Sequence, residues 1–176
     1  WQGEIWNRRK NGEVYPQWAN ISAVKDDTNR VSHYVSSFTD ISHRKTAEDH
    51  IRHLAFYDPL TQLPNRRLIL DRLRHALLAS SRSEHSGALL FIDIDNFKTL
   101  NDTLGHDKGD QLLVSIAGRL KPLVREEDTV ARLGGDEFVI MVDRLSLNAD
   151  FAANQAKLIG KKVLDAFIEP HDLGGV

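Results

Sequence analysis

The stretch RLGGDEFVIMV, residues 132–142, sets two glycines and two carboxylates directly before an apolar run. Gly134 and Gly135 permit the positive φ of a tight turn and let another molecule approach the backbone closely. EFVIMV reads as a buried strand and DTVARL, 128–133, as the strand before it. With Asp136 and Glu137 at its tip, such a hairpin is either an ordinary solvated turn or half of a cation site. The second option needs oxygen donors from elsewhere in the chain.

ALLFIDID, 88–95, offers them. It is a second apolar run, and it ends in Asp93 and Asp95 at the C-terminal end of a strand, where ligands commonly bind in α/β sheets. If the two strands are neighbours, Asp93 and Asp136 converge with the Ile94 carbonyl between them. Oxygen ligation by a few carboxylates suits Mg²⁺ or Mn²⁺, ions that usually also hold substrate phosphates. Acids at strand ends also serve as plain solubilising caps, and the pattern alone leaves that alternative open.

The elements around these strands complete a β-α-α-β-β-α order, which gives an α/β domain with an antiparallel hairpin in its sheet. DPLTQLPNRR, 58–67, breaks the chain with two prolines before a helix from about Arg66 to Ser80. Ile69, Leu73, Ala76 and Leu77 form its apolar face. NFKTLNDTLG, 96–105, is a short helix, and DKGDQLLVSIAGRLKPLV, 107–124, is a longer one capped by Asp107. A further helix follows from Ala149.

The first forty residues read as β structure. Asn11-Gly12 predicts a type I′ hairpin turn, and DDTN, 26–29, a second turn into a third strand. Three strands alone are marginal, so more of this sheet is expected ahead of Trp1. At Asp40 the period changes. Ala47, Ile51 and Leu54, spaced i, i+4, i+7, make a narrow seam of the kind two parallel helices share. A connector helix between domains and a single helix packed on its own domain both fit it.

Bulk properties exclude several classes. A net charge of -2 and a pI near 6.5 give no reason to expect nucleic-acid binding or attraction to an acidic membrane. Without cysteine there is no disulfide, thiolate zinc site or thiol nucleophile, which fits a reducing cytoplasm. No apolar run reaches the ~20 residues of a membrane span, so a membrane enters only through regions outside this chain.

The pentapeptide GGDEF, 134–138, together with FIDIDNFKTLNDTLGHDKGD, 91–110, closely resembles the GGDEF family of diguanylate cyclases. DPLTQLPNRR is similar to the opening of that domain, with Gln62 where glycine is more common. Residues 1–45 resemble the last strands of a PAS sensory domain, through WQGEIWNRRKNGEVYPQW and the exit DIS. The resemblance implies a nucleotidyl-cyclase-like palm, with a central mixed sheet and flanking helices. A partial antiparallel PAS sheet, 1–41, and a connector helix, 42–57, precede it. The GGDEF domain then runs over 58–176 and is expected to be C-terminally incomplete.

Members of the family join two GTP molecules into cyclic di-GMP, each 3′-hydroxyl attacking the other's α-phosphorus and expelling pyrophosphate. Carried over by position, Asp93, the Ile94 carbonyl and Asp136 would bind Mg²⁺ or Mn²⁺. Asp136 is also the family's proton acceptor, Glu137 adds charge beside it, and Lys98 offsets phosphate charge. Asn101, His106 and Asp110 match substrate contacts, while Gly134 and Gly135 leave room for the nucleotide. A carboxylate accepts both N1–H and the exocyclic amine of guanine, so Asp110 gives a reason for GTP over ATP. Arg125 and Asp128 match the family's product-inhibition motif, RxxD, with Arg132 as a helper. A surface ion pair is the plain alternative for that motif.

Each half-site holds one GTP, so a homodimer is expected for turnover. The resemblance thus implies a PAS-regulated, cytoplasmic diguanylate cyclase that is feedback-inhibited by cyclic di-GMP; the chain itself, lacking the family's later phosphate clamp, is expected to turn over little. The alternatives are a non-catalytic GGDEF module that binds GTP or cyclic di-GMP beside another domain, and a dimerising sensory module.

Overall fold

A computed structural model of the chain describes residues 1–83 and 85–173. The chain divides into two compact units, Trp1–His53 and Leu54–Val176.

The first unit holds a three-stranded antiparallel sheet in the order β1-β2-β3, formed by Gln2–Arg8, Val14–Lys25 and Val31–Asp40. Its two hairpins share one geometry, which differs from the expected type I′ turn. Gly12 N–H donates to the Arg9 carbonyl and Arg9 N–H to that of Glu13; Asn29 and Asp26 repeat the pattern toward Arg30. Only the last loop residue takes positive φ, 90° at Gly12 and 63° at Asn29, while Asn11 stays negative. That is a three-residue loop, a turn closed by one left-handed residue, where the two-residue form needs both central φ positive. Helix α1, Ser42–Phe56, follows, and none of its residues is buried. Ile51 and Leu54 are 65% and 50% exposed, so the seam does not pack within the described residues.

The second unit opens with a loop pinned by Asp58, whose Oδ1 accepts from the Thr61 amide and hydroxyl at 2.8 and 2.6 Å. Asn65 then caps α2, Arg66–Ser83, by accepting from the amides of Arg67 and Leu68. β4, Ser86–Asp93, leads into α3, Phe97–Leu104, and α4, His106–Leu120, after which one 3₁₀ turn reaches Leu123. β5, Thr129–Gly134, β6, Glu137–Leu145, and α5, Ala149–Ala166, complete it. Gly105 caps α4 without a side-chain bond. Asp107, expected as the cap, lies in the first turn, where its charge favours the positive end of the helix dipole.

The sheet order is β4-β6-β5, and all described pairings are antiparallel, so the expected mixed sheet is represented here by antiparallel strands. One face carries Leu90, Ile92, Phe138, Ile140 and Val130 against Leu113, Ile116 and Leu120 of α4 and Val163 of α5. The other carries Ala131, Val139 and Met141 against Ile69, Leu73 and Ala76 of α2. Leu77, expected on the apolar face of α2, is 61% exposed.

Candidate functional site

The pairing that sets Ile92 opposite Phe138 also brings the ends of β4 and β6 side by side. Asp93 pairs with Glu137 at the last position of their ladder, two residues opposite one another on one face of the sheet. Asp136 immediately precedes Glu137 in the link Gly135–Asp136, and Gly134 pairs back onto Glu137. Gly134 and Gly135 have φ of 143° and 54°, and a Cβ on either would meet open space. The glycines are therefore required by backbone conformation rather than by crowding, and the face of the turn stays free for another molecule.

Asp93, Asp95 and Glu137 are exposed and Asp136 is half-buried. No ion pair among the described residues involves any of the four. Among the described residues, no three acid or histidine side chains gather into a ready-made cage. Two carboxylates and a carbonyl make an open donor set, which fits an ion that completes its shell with water and phosphate oxygens. The Ile94 carbonyl already accepts from the Phe97 amide at 3.3 Å and keeps a second lone pair.

α3 and α4 flank this edge. Lys98 is exposed on α3. Asn101, also on α3, has a buried Oδ1 without a hydrogen-bond partner, at a cost of about 1–3 kcal/mol for an unmet acceptor. It reaches that position because α4 carries Gly109 opposite it: a Cβ there would stand 1.9 Å from the Asn101 Oδ1. In the sequence, only its i+4 spacing from Gly105 marks Gly109. His106 and Asp110 are exposed on the first two turns of α4, also four apart and so on one face.

The remaining expected residues have other engagements. Arg132, expected as a helper to Arg125, donates Nε and Nη2 to the Gly135 carbonyl at 3.0 and 2.7 Å. Its Nη1 bonds both oxygens of Asp58. Asp128 is buried, with one oxygen accepting from the Arg125 amide and the other from the Asp143 amide. Arg125 is exposed and lies 3.8 Å from Glu127.

The model of the family described as "Diguanylate cyclase, GGDEF domain" matches residues 55–175. The chain belongs to the GGDEF family. It is 42% identical over 132 residues to diguanylate cyclase TpbB of Pseudomonas aeruginosa, covering 75% of this chain and 30% of that protein. It is 47% identical over 106 residues to the bifunctional diguanylate cyclase/cyclic di-GMP phosphodiesterase MucR of the same species, covering 60% of this chain and 15% of MucR. The chain thus spans less than a third of these curated relatives. A TpbB structure comprising only the GGDEF domain superposes with a TM-score of 0.63 at 41% identity, over 67% of this chain and 66% of that one. The α/β arrangement of the second unit is therefore the GGDEF, nucleotidyl-cyclase-like palm. Among the described residues no helix is long and apolar enough to cross a membrane.

Proposed function

We propose that the GGDEF domain of this protein is one half-site of a diguanylate cyclase, which condenses two GTP into cyclic di-GMP with release of pyrophosphate. The register that sets Asp93 against Glu137, one residue from Asp136 on an open glycine turn, carries this reading. Asp93, Asp136 and the Ile94 carbonyl hold the divalent ion, which when bound lowers the pKa of the attacking hydroxyl and neutralises charge on the leaving group. Lys98 offsets phosphate charge, and Glu137 keeps the site acidic enough to retain a cation. Asp110 presents its carboxylate to the donors of guanine, a pair that adenine does not offer, and Asn101 contacts the substrate through its amide once its buried oxygen turns away from Gly109. His106 shares the exposed face of α4 that carries Asp110.

Two such half-sites must face each other to close both phosphodiester links, so the active form is a homodimer. The exposed seam of Ala47, Ile51 and Leu54 on α1 suits a second copy of the helix. The antiparallel sheet β1–β3 is read as the end of a PAS sensory domain whose signal alters that pairing. Arg125 binds cyclic di-GMP in feedback inhibition, with Asp128 shaping the loop that presents it.

Incubation of the full-length protein with GTP and Mg²⁺ tests the activity. The expected result is cyclic di-GMP from the natural protein and none from Asp136→Ala. A folded, dimeric protein that makes no product would overturn it in favour of a non-catalytic nucleotide-binding module.

A further inference from the structure

Three side chains on one stripe of α4 hold the segment that follows α5. Arg119 donates Nη1 to the carbonyls of Ala166 and Glu169, at 3.0 and 2.5 Å, and Nη2 to that of Pro170 at 2.6 Å. One turn earlier, the Ser115 hydroxyl lies 2.7 Å from His171 Nδ1. Near the start of the helix, Lys108 Nζ donates to the Leu173 carbonyl. Positions 108, 115 and 119 fall on a common face, so residues 166–173 run back along α4 as a strap. Leu173, the last described residue, is 7% exposed. Phe167 and His171, with ring centroids 6.0 Å apart, close one end of a cavity of about 790 Å³ whose walls include Leu90, Ile92, Leu112 and Ile116.

The imidazole that Ser115 bonds is the group on this strap whose ordinary pKa lies near neutrality. The ring is half-buried against apolar side chains beside a permanent cation. Its bond to Ser115 survives protonation with the hydroxyl reversed, because the imidazolium donates where the neutral ring accepts. What protonation adds is a second positive charge in the groove. On α4, Arg119 bonds the Pro170 carbonyl and Lys108 the Leu173 carbonyl on either side of that ring; Glu169 and Asp172 are the strap's own acids, and Asp93 and Asp95, at and just beyond the end of β4, line the same cavity as the ring. Burial, and then the charge of Arg119, hold His171 below the usual histidine range.

The geometry points to a pH-sensitive strap: the neutral His171 ring keeps residues 167–173 seated on α4, and its protonation releases them. Because the seated form disfavours the proton, its stability is complete above the ordinary histidine pKa of about 6.5 and is lost as the pH falls from there toward the seated value. No nucleotide takes part, so the strap stands or falls independently of the cyclase reading.

The test is nuclear magnetic resonance on the whole chain at about pH 7.5 and about pH 5.5, with a soluble paramagnetic probe reporting exposure of the Leu173 methyl groups. Relaxation of those methyls rises several-fold at the lower pH, while that of the fully buried Leu120 does not change. The rise is absent in His171→Gln, which keeps a polar partner for Ser115 but does not titrate, and it persists in Ser115→Ala. Equal Leu173 exposure at both pH values, or a rise that remains in His171→Gln, overturns the proposal. If the variant does not fold, a ring titration of His171 in the natural protein decides: a midpoint below the ordinary range supports the strap, and one at or above it refutes it.

Discussion

Arg132 bonds both carboxylate oxygens of Asp58 through one nitrogen, at 3.0 and 3.1 Å, although 74 residues separate them. Its other donors hold the Gly135 carbonyl, so one guanidinium ties the loop that opens the domain to the turn that carries the acids. The pair is nearly buried, with side chains 11% and 16% exposed. Removing Arg132 leaves the Asp58 charge with only the Thr61 donors and frees the turn. Arg132→Ala is expected to lower stability by about 3 kcal/mol, and Arg132→Lys to recover only part of this because lysine lacks the planar fork. Urea unfolding curves check both; full recovery by lysine would show that charge alone matters.

The same carboxylate gives a pH signature. Burial pushes the Asp58 carboxyl up, but hydrogen bonds from the Thr61 hydroxyl and amide and from Arg132 outweigh it and hold the group below its ordinary value. The folded state therefore favours the ionised form. Its contribution is complete above the unfolded carboxylate pKa of about 4 and disappears as the pH falls through the lower folded value. Asp58→Asn is expected to flatten this acid limb of the stability curve, measured as urea midpoint against pH. An unchanged limb would contradict the assignment.

Gln62 occupies a left-handed conformation, φ 57°, held by a bond from its Nε2 to the Pro59 carbonyl at 2.7 Å. Glycine adopts this conformation without a Cβ penalty of roughly 1 kcal/mol. With the lost bond and the freer unfolded chain set against that relief, Gln62→Gly should stay within about 0.5 kcal/mol of the natural protein, and Gln62→Ala, which keeps the penalty and loses the bond, should fall below both. Thermal unfolding of the three proteins gives the order directly.

Gly109→Ala tests the seat of Asn101. The new Cβ meets the Asn101 Oδ1 at 1.9 Å, so the side chain must move while α4, which tolerates alanine well, stays helical. GTP affinity is expected to fall about tenfold, comparable to the loss of one good hydrogen bond, with little change in circular dichroism. Unaltered affinity would remove Asn101 from the guanine site.

Arg125 and Asp128 should separate. Asp128 holds two backbone amides from a buried position, so Asp128→Ala is expected to cost about 1–3 kcal/mol of stability. The exposed Arg125 should be dispensable for folding but needed for cyclic di-GMP binding. Calorimetric titration with cyclic di-GMP, beside a melting curve for each variant, makes the distinction.

These residues also show what the sequence discloses. The apolar runs ALLFIDID and EFVIMV disclose β4 and β6 as strands, and Asp93 and Asp136 converge if the two are neighbours, a condition met by the pairing of Asp93 with Glu137. Helix periodicity found α1 through α5, though it placed Leu77 on a buried face that it does not join. Turn geometry was less legible: Asn11-Gly12 suits two loop lengths, and the choice depends on Arg9 pairing with Glu13. Least visible were the polar contacts of Arg132 and Asp128 and the space that Gly109 leaves for Asn101. Each depends on a partner from a distant part of the chain or on a space left by one, and neither leaves a period in the sequence.

The shared cation is tested most directly by binding of Mn²⁺, followed by electron paramagnetic resonance in the presence of a non-hydrolysable GTP analogue. If Asp93 and Asp136 grip one ion, Asp93→Ala and Asp136→Ala each weaken binding nearly as much as the double variant does. Independent, additive losses, or Mn²⁺ affinity that survives both substitutions, would contradict it.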